Sequence, residues 1–277
     1  MLSLEFFTQL EEIVGTANLF RDDDSLSVYS ADKSKNRGFV DVAVRPRTVT
    51  EVASVARLCN ESQVPLTVRG AGTGYTGGAV PIQGGVVMSM ERFTRVIEID
   101  EMNLLAIVEP NVITGDLQRA VEGVGLFYPP DPASLNQSVI GGNVAECAGG
   151  PRAFKYGTTK NYVLGLEAVL PTGEVMKTGG KTIKNVVGYD LTKLIVGSEG
   201  TLAIITKVIL RLIPKPRSRE TLRATFTSID SAVKAVVGLI QERIIPAAME
   251  LIDERSLDAV AQYLEDRTLA PDGTGAL

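Results

Sequence analysis

The 277-residue sequence contains no histidine and no tryptophan. The first absence removes, from these residues, a histidine general base, a histidine linkage to a prosthetic group and every histidine-containing metal site. Cysteine is scarce as well. Cys59 and Cys147 stand in unrelated contexts with no C-x-x-C spacing, so neither a disulfide framework nor a thiolate metal site is expected, and a reducing cytoplasm suits the chain best. No run of about eighteen apolar residues occurs, and Met1 to Glu12 carries three glutamates without a basic segment, so neither a membrane span nor a signal peptide is expected. The 28 basic and 33 acidic side chains are mixed along the whole length, which leaves no cationic stripe for a nucleic acid.

What is present is glycine, 27 residues of it, in a chain whose 44% hydrophobic content can build a substantial core. The pattern is α+β. Leu4, Phe7, Leu10 and Ile13 recur at helical spacing and predict a helical preface over 1–35. Strands are expected at Val42 to Val44, Leu66 to Val68, Val86 to Met90, Val96 to Ile99, Leu105 to Val108, Leu164 to Leu170, Val175 to Lys177 and Leu202 to Ile213. Helices are expected at Thr48 to Asn60, with Thr50 as a plausible N-cap, at Thr114 to Gly123 and at Gly141 to Cys147. Pro214-Lys215-Pro216 marks a boundary. A strand at Glu220 to Phe226 and helices at Ser228 to Gln241 and Asp253 to Leu264 follow, and Ala270 to Leu277 reads as a loop that stops before its strand.

Three segments carry chemistry. Arg69-Gly70-Ala71-Gly72-Thr73-Gly74-Tyr75-Thr76-Gly77-Gly78 follows a strand directly, and its glycines let backbone N–H groups converge on an anion. Gly72, Gly74 and Gly77 match the G-x-G-x-x-G spacing, with Glu98 about twenty residues on as a ribose partner would be. A Rossmann turn needs a helix here, however, and Pro81, Gly84 and Gly85 precede a strand instead, so a nicotinamide site is rejected. The second segment, Tyr128 to Ser134 and then Ile140 to Gly150, joins rigid prolines to paired glycines, as a loop wrapped round a planar ligand would. The third, Gly197 to Thr206, is a tight turn entering a strand.

In this order and spacing the three segments resemble the FAD-binding domain of the vanillyl-alcohol oxidase superfamily, the p-cresol methylhydroxylase type, over residues 36–214. Within it they are most similar to the branch of glycolate oxidase flavoprotein subunits and D-lactate and D-2-hydroxyglutarate dehydrogenases. The resemblance implies an α+β, two-subdomain FAD-binding fold over 36–215 and the beginning of an α+β cap over 216–277. It implies that Arg69, Gly70, Ala71, Gly72, Thr73, Gly74, Tyr75 and Thr76, with Gly77, wrap the FAD pyrophosphate. Asp131, Pro132, Ala133, Ser134, Gln137, Ser138, Gly141, Gly142 and Asn143 would line the flavin and ribityl chain, with Glu146, Cys147, Ala148 and Gly149 beside them. Glu199, Gly200, Thr201, Ile204, Ile205 and Thr206 would hold the other side. Thr73 takes the place at which some members attach flavin to a histidine, so noncovalent FAD is expected, and Ala203 departs from a common glycine.

The activity implied is oxidation of a small 2-hydroxy acid of the glycolate or D-lactate class by hydride transfer to flavin. That chemistry needs a base and a cation for the carboxylate, which the branch places mainly in its cap. The chain is therefore expected to be an N-terminal portion, catalytically incomplete alone, with no catalytic residue assigned. Arg152, Lys155, Tyr156 and Lys184 lie near glycine loops and are candidates to approach a substrate, although charged loop residues are usually only solvated. The competing reading is a noncatalytic FAD-binding or assembly subunit that needs a separate cap-bearing chain. Additional subunits or an electron acceptor are further expected partners.

Overall fold

The computed structural model describes residues 2–266 and 275–276. It divides the chain into two units, Met1–Gly149 with Thr158–Lys215, and Gly150–Gly157 with Pro216–Leu277. The chain changes unit at Gly150, at Thr158 and again at Pro216.

The first unit opens with α1 (Leu4–Val14), β1 (Leu19–Phe20) and α2 (Asp23–Ser27), then β2 (Val42–Val44), α3 (Val49–Glu61), β3 (Leu66–Arg69) and β4 (Val86–Ser89). The strands form one sheet in the order β1-β2-β4-β3, with β2, β4 and β3 parallel and β1 antiparallel on the edge. The preface belongs to this core. Phe6, Leu10 and Val14 are buried with Val52, Val55 and Cys59 of α3 against Val42, Val44, Val86 and Met88. Each such side chain contributes about 1.5–3 kcal/mol. The helical period in α1 is as expected but its face is rotated, since Leu4 is exposed and Phe6, not Phe7, is fully buried. The N-cap of α3 is Thr48, not Thr50: its hydroxyl accepts from the Glu51 amide at 3.2 Å, and Glu51 in turn accepts the Arg47 amide at 2.8 Å.

β4 sits between β2 and β3, so the chain leaving β3 must return the length of the sheet to enter β4 in parallel. A parallel return usually runs through a helix. Here it runs through Gly70 to Gly85, the glycine-rich segment.

The second sheet is antiparallel, in the order β5-β6-β10-β8-β9. Its elements are β5 (Val96–Asp100), β6 (Leu105–Val108), α4 (Thr114–Glu122), β7 (Leu126–Phe127), α5 (Ile140–Glu146), α6 (Ala153–Tyr156), β8 (Val163–Val169), β9 (Val175–Gly179), α7 (Leu191–Ile195), β10 (Ile204–Arg211) and β11 (Ile213–Pro214), although α6 falls in the second unit and β7 pairs with β11 separately. One buried carboxylate pins the two sheets together. Glu109, 3% exposed, meets Arg47 at 3.1 Å from the first sheet's β2 to α3 connection, and Arg95 at 2.8 Å from the approach to β5.

In the second unit, β12 (Thr225–Phe226), α8 (Ile229–Gln241) and α9 (Glu254–Tyr263) are followed by β13 (Gly275–Ala276), which pairs with β12. The strand expected over Glu220 to Phe226 shrinks to two residues, because a strand extends only where a partner supplies hydrogen bonds and β13 is equally short. Of the terminal segment expected as a loop, Ala270 to Leu277, all but Gly275–Ala276 lies outside the described residues. Among the described residues, no helix is long and apolar enough to cross a membrane.

Candidate functional site

The glycine segment leaves β3 over a buried cation. Arg69 is 9% exposed, donates to the Ala79 carbonyl at 3.4 Å, and is depressed by burial against the opposing effect of Asp32 and Tyr29. Gly72 closes over it at φ +65°, where a Cβ would stand 2.3 Å from the guanidinium. Only glycine combines that left-handed backbone with that approach. Among the described residues, the backbone N–H groups from Ala71 to Gly78 donate to no protein acceptor. A row of open donors above a buried positive charge is suited to a polyanion.

The second segment is built onto the first. A Cβ on Gly70 would stand 2.7 Å from Val139 Cγ2 and 4.0 Å from the Gly142 amide nitrogen. The two glycines that open α5 differ in purpose. A Cβ on Gly141 would lie 2.5 Å from Pro110 Cβ and 3.0 Å from its carbonyl oxygen, and the Gly141 amide already donates to that oxygen at 2.6 Å. On Gly142 a Cβ would meet nothing closer than Val139 Cγ2 at 3.7 Å, so its face is open. Gly141 is thus required by packing, and Gly142 leaves room for a ligand.

The loop before α5 is held from behind by α4. Gln118, buried, donates to the carbonyls of Tyr128 at 3.0 Å and Pro130 at 2.8 Å. Thr114, fully buried, bonds the Ser138 carbonyl at 3.0 Å and hydroxyl at 2.9 Å and accepts from Asn143 at 2.7 Å. Ser138 and Asn143 therefore turn their side chains toward Thr114, and their backbone groups are bonded within the protein as well. Asp131, Pro132, Ala133, Ser134 and Gln137 form tight turns, with Leu135 bonded to Pro132 at 2.8 Å and Gln137 to Ser134 at 2.7 Å.

The third segment returns to α5: the Gly197 amide donates to Val144 at 3.0 Å and the Glu199 amide to Ala145 at 2.9 Å. Glu199 and Gly200 both have positive φ, and Thr201 closes the turn onto Ser198. Ile204 and Ile205 pair with β8, and a bulge displaces Thr206. Pairing with β6 begins only at Val208, so Ile204 to Thr206, all buried, are not bonded to that strand. At the end of α5, Cys147 takes a left-handed conformation, its thiol 3.3 Å from the Thr158 hydroxyl, while Ala148 accepts from Thr159 and Gly149 ends the unit's first stretch of chain. All three segments thus meet on one short helix.

Several contributors carried no sequence motif. Thr114 and Gln118 occupy the apolar face of α4 four residues apart, and a polar pair in such a face was the available signal. Ser34 and Asn36 lie 3.9 and 3.7 Å from the Cβ position of Gly77. Glu98, the ribose candidate of the rejected Rossmann reading, is bound to Lys181 at 2.7 Å. Arg152, Lys155 and Tyr156 fall in the second unit, where the Lys155 ammonium lies 5.7 Å from the Tyr156 ring centre. Lys184 is exposed. Among the described residues no metal-binding group of three or more acidic, cysteine or histidine side chains forms.

Donors without protein acceptors, a cation beneath them and an open glycine face opposite match the needs of a dinucleotide carrying a diphosphate. The chain belongs to the FAD binding domain family, which it matches over residues 40–179, and residues 215–277 match the C-terminal domain of FAD-linked oxidases. Its cofactor is FAD. Among curated relatives it is similar to a glycolate oxidase subunit of Bacillus subtilis, 45% identical over 90% of this chain and 53% of that one. It is also similar to a D-lactate dehydrogenase of Archaeoglobus fulgidus, 39% identical over 89% of this chain and 54% of that one. The chain spans about half the length of these relatives. Its fold is that of p-cresol methylhydroxylase, with a TM-score of 0.76 at 20% identity over all of this chain and 61% of the solved one.

Proposed function

We propose that the chain is the FAD-holding part of an oxidoreductase that oxidises a small 2-hydroxy acid of the glycolate or D-lactate class. The observation that carries the reading is the convergence of the open amides of Ala71 to Gly78 and the open face of Gly142 on one helix, in a chain whose relatives carry those two activities in their names. Bound FAD supplies the hydride acceptor, flavin N5. The residues of this chain bind and orient: Ala71 to Gly78 hold the diphosphate, Asp131 to Asn143 and Glu146 to Gly149 line the flavin and ribityl chain, and Glu199 to Thr206 close the other side. Binding is noncovalent, since Thr73 offers no imidazole and the sequence has no histidine.

No side chain described here is assigned as the base or as the cation for the substrate carboxylate, and the region 216–277 is read as the beginning of the substrate domain. A second reading is a noncatalytic FAD-binding or assembly subunit that relies on another polypeptide for those groups, and a downstream reading frame that encodes the cap decides between the two. Further subunits or an electron acceptor complete either reading, and the two unpaired cysteines suit a cytoplasmic site. The test is anaerobic reduction of bound FAD by glycolate, D-lactate or D-2-hydroxyglutarate. Fusion to the remaining C-terminal half of the Bacillus subtilis relative is expected to permit rapid bleaching. The 277 residues alone are expected to bleach about 10²-fold or more slowly, the usual contribution of a positioned proton acceptor. An FAD-loaded fusion that none of the three acids reduces refutes the substrate class.

A further inference from the structure

The carboxylate of Glu146 stands where an anion-binding loop should least tolerate one. It accepts the Thr76 hydroxyl through both oxygens, at 3.1 and 3.0 Å. It also lies 3.8 Å from the Cβ position of Gly74 and 3.0 Å from that of Gly78, so it abuts the donor loop at two points. Glu199, from the third segment, is 3.6 Å from the same position at Gly78. The charged groups facing Glu146 are thus Glu199 and, from the connection before β2, Asp32. The cation of the loop, Arg69, is itself influenced by Asp32 and Tyr29. Burial first, then Glu199 and Asp32, hold the Glu146 carboxyl above the usual carboxylate range, against the opposing effect of the Thr76 hydrogen bond.

We propose that Glu146 is a positioning residue: it latches the glycine loop to α5 through Thr76, and the FAD diphosphate is accepted with Glu146 neutral, so that cofactor binding draws a proton onto this side chain. The proposal rests on the diphosphate lying along Ala71 to Gly78. A neutral carboxyl keeps an oxygen for the Thr76 hydroxyl and gains an O–H donor, whereas a third carboxylate beside Glu199 and Asp32 repels the incoming anion. The sign follows directly. FAD raises the proton affinity of Glu146 beyond its already raised resting value. Affinity for FAD is therefore full below that resting value, and it falls as pH rises toward the value in the complex, by up to about tenfold per pH unit for one linked proton.

Fluorescence titration of the 277-residue chain with FAD between about pH 5 and about pH 9 covers the window. Glu146→Gln keeps an oxygen for Thr76 and cannot ionise. It is expected to bind FAD with a flat pH profile and about tenfold more tightly than the unmodified chain at the alkaline end. Glu146→Ala is expected to weaken binding at every pH. The latch is read separately, without cofactor, from the melting of Glu146→Ala, Thr76→Val and the double variant, whose losses are expected to be non-additive. A Glu146→Gln profile parallel to that of the unmodified chain overturns the proton linkage, and additive losses overturn the latch. If the unmodified chain binds no FAD, the diphosphate placement and the linkage fail together, while the melting cycle still decides the latch.

Discussion

Substituting the paired glycines of α5 one at a time should separate folding from binding. Alanine at position 141 would place its methyl 2.5 Å from Pro110 Cβ and 3.0 Å from the Pro110 carbonyl, which accepts the Gly141 amide and cannot retreat without breaking that bond. Overpacking of this kind costs about 1–3 kcal/mol, and glycine-to-alanine in a helix returns about 0.5–1 kcal/mol. The net loss expected for Gly141→Ala is about 0.5–2 kcal/mol, a fall of several degrees in melting temperature by the usual scaling. At position 142 the clash is absent, so Gly142→Ala should hold or raise stability by about 0.5–1 kcal/mol. Gly142→Asp adds a carboxylate near a helix N-terminus, which the helix tolerates and the cofactor does not. FAD affinity is expected to drop more than about tenfold, or about 1.4 kcal/mol, with the fold retained. Thermal melts of the apo variants and fluorescence titration with FAD read the two effects independently. A Gly141→Ala variant as stable as the parent, or a folded Gly142→Asp that binds FAD unchanged, refutes the division.

Two further outcomes follow from the same geometry. Acid precipitation of the FAD-loaded chain should leave all flavin absorbance in the supernatant, and yellow colour in the washed pellet refutes noncovalent attachment. Glu109 is pulled upward by burial but held below the usual carboxylate range by its hydrogen bonds to Arg95 and Arg47. Its contribution to stability is therefore present above its unfolded value and is lost as pH falls through the folded value. Glu109→Ala removes a buried carboxylate whose partners Arg47 and Arg95 keep contact with solvent, so it should cost about 1–3 kcal/mol at neutral pH, and urea melts should show that deficit shrinking below about pH 4.5. A deficit that stays constant with pH refutes the assignment.

The glycine segments were legible because their signal is local. Glycine beside glycine after a strand announces a backbone-lined, anion-binding loop without any knowledge of the fold, and the FAD-binding, α+β reading came from the resemblance that the three segments carry together. Short apolar runs bounded by turn residues gave Val42–Val44 and Leu105–Val108 with their observed limits. Thr48 was readable as well, since Thr48-Val49-Thr50-Glu51 has the S/T-x-x-E spacing of a cap, but Thr50 competed for the role. The rest was hidden by distance along the chain. Thr76 meets Glu146 across seventy positions and Arg47 meets Glu109 across sixty-two, and no periodicity encodes such pairings. The rotated face of α1 was lost differently. Phe6 and Phe7 are both apolar, and only docking on α3 decides which one is covered. Ser138 and Asn143 were expected from the resemblance to line the flavin, and the bonds of their side chains to Thr114 are a further long-range pairing that no local pattern encodes.

The return from β3 to β4 through Gly70 to Gly85 has a consequence for how the molecule assembles. Chain entropy opposes closing any long excursion, and glycine-rich excursions resist most, yet the middle strand of the first sheet cannot enter its slot until this one closes. Completing the sheet and shaping the nucleotide-binding surface are then a single event. A mutation that loosens the loop should slow β4 insertion as well as weaken the cofactor's grip, and FAD present during refolding should hasten recovery of the sheet. Shortening the loop to stiffen it is closed as an engineering route, since the same residues are the tether that lets β4 reach its place.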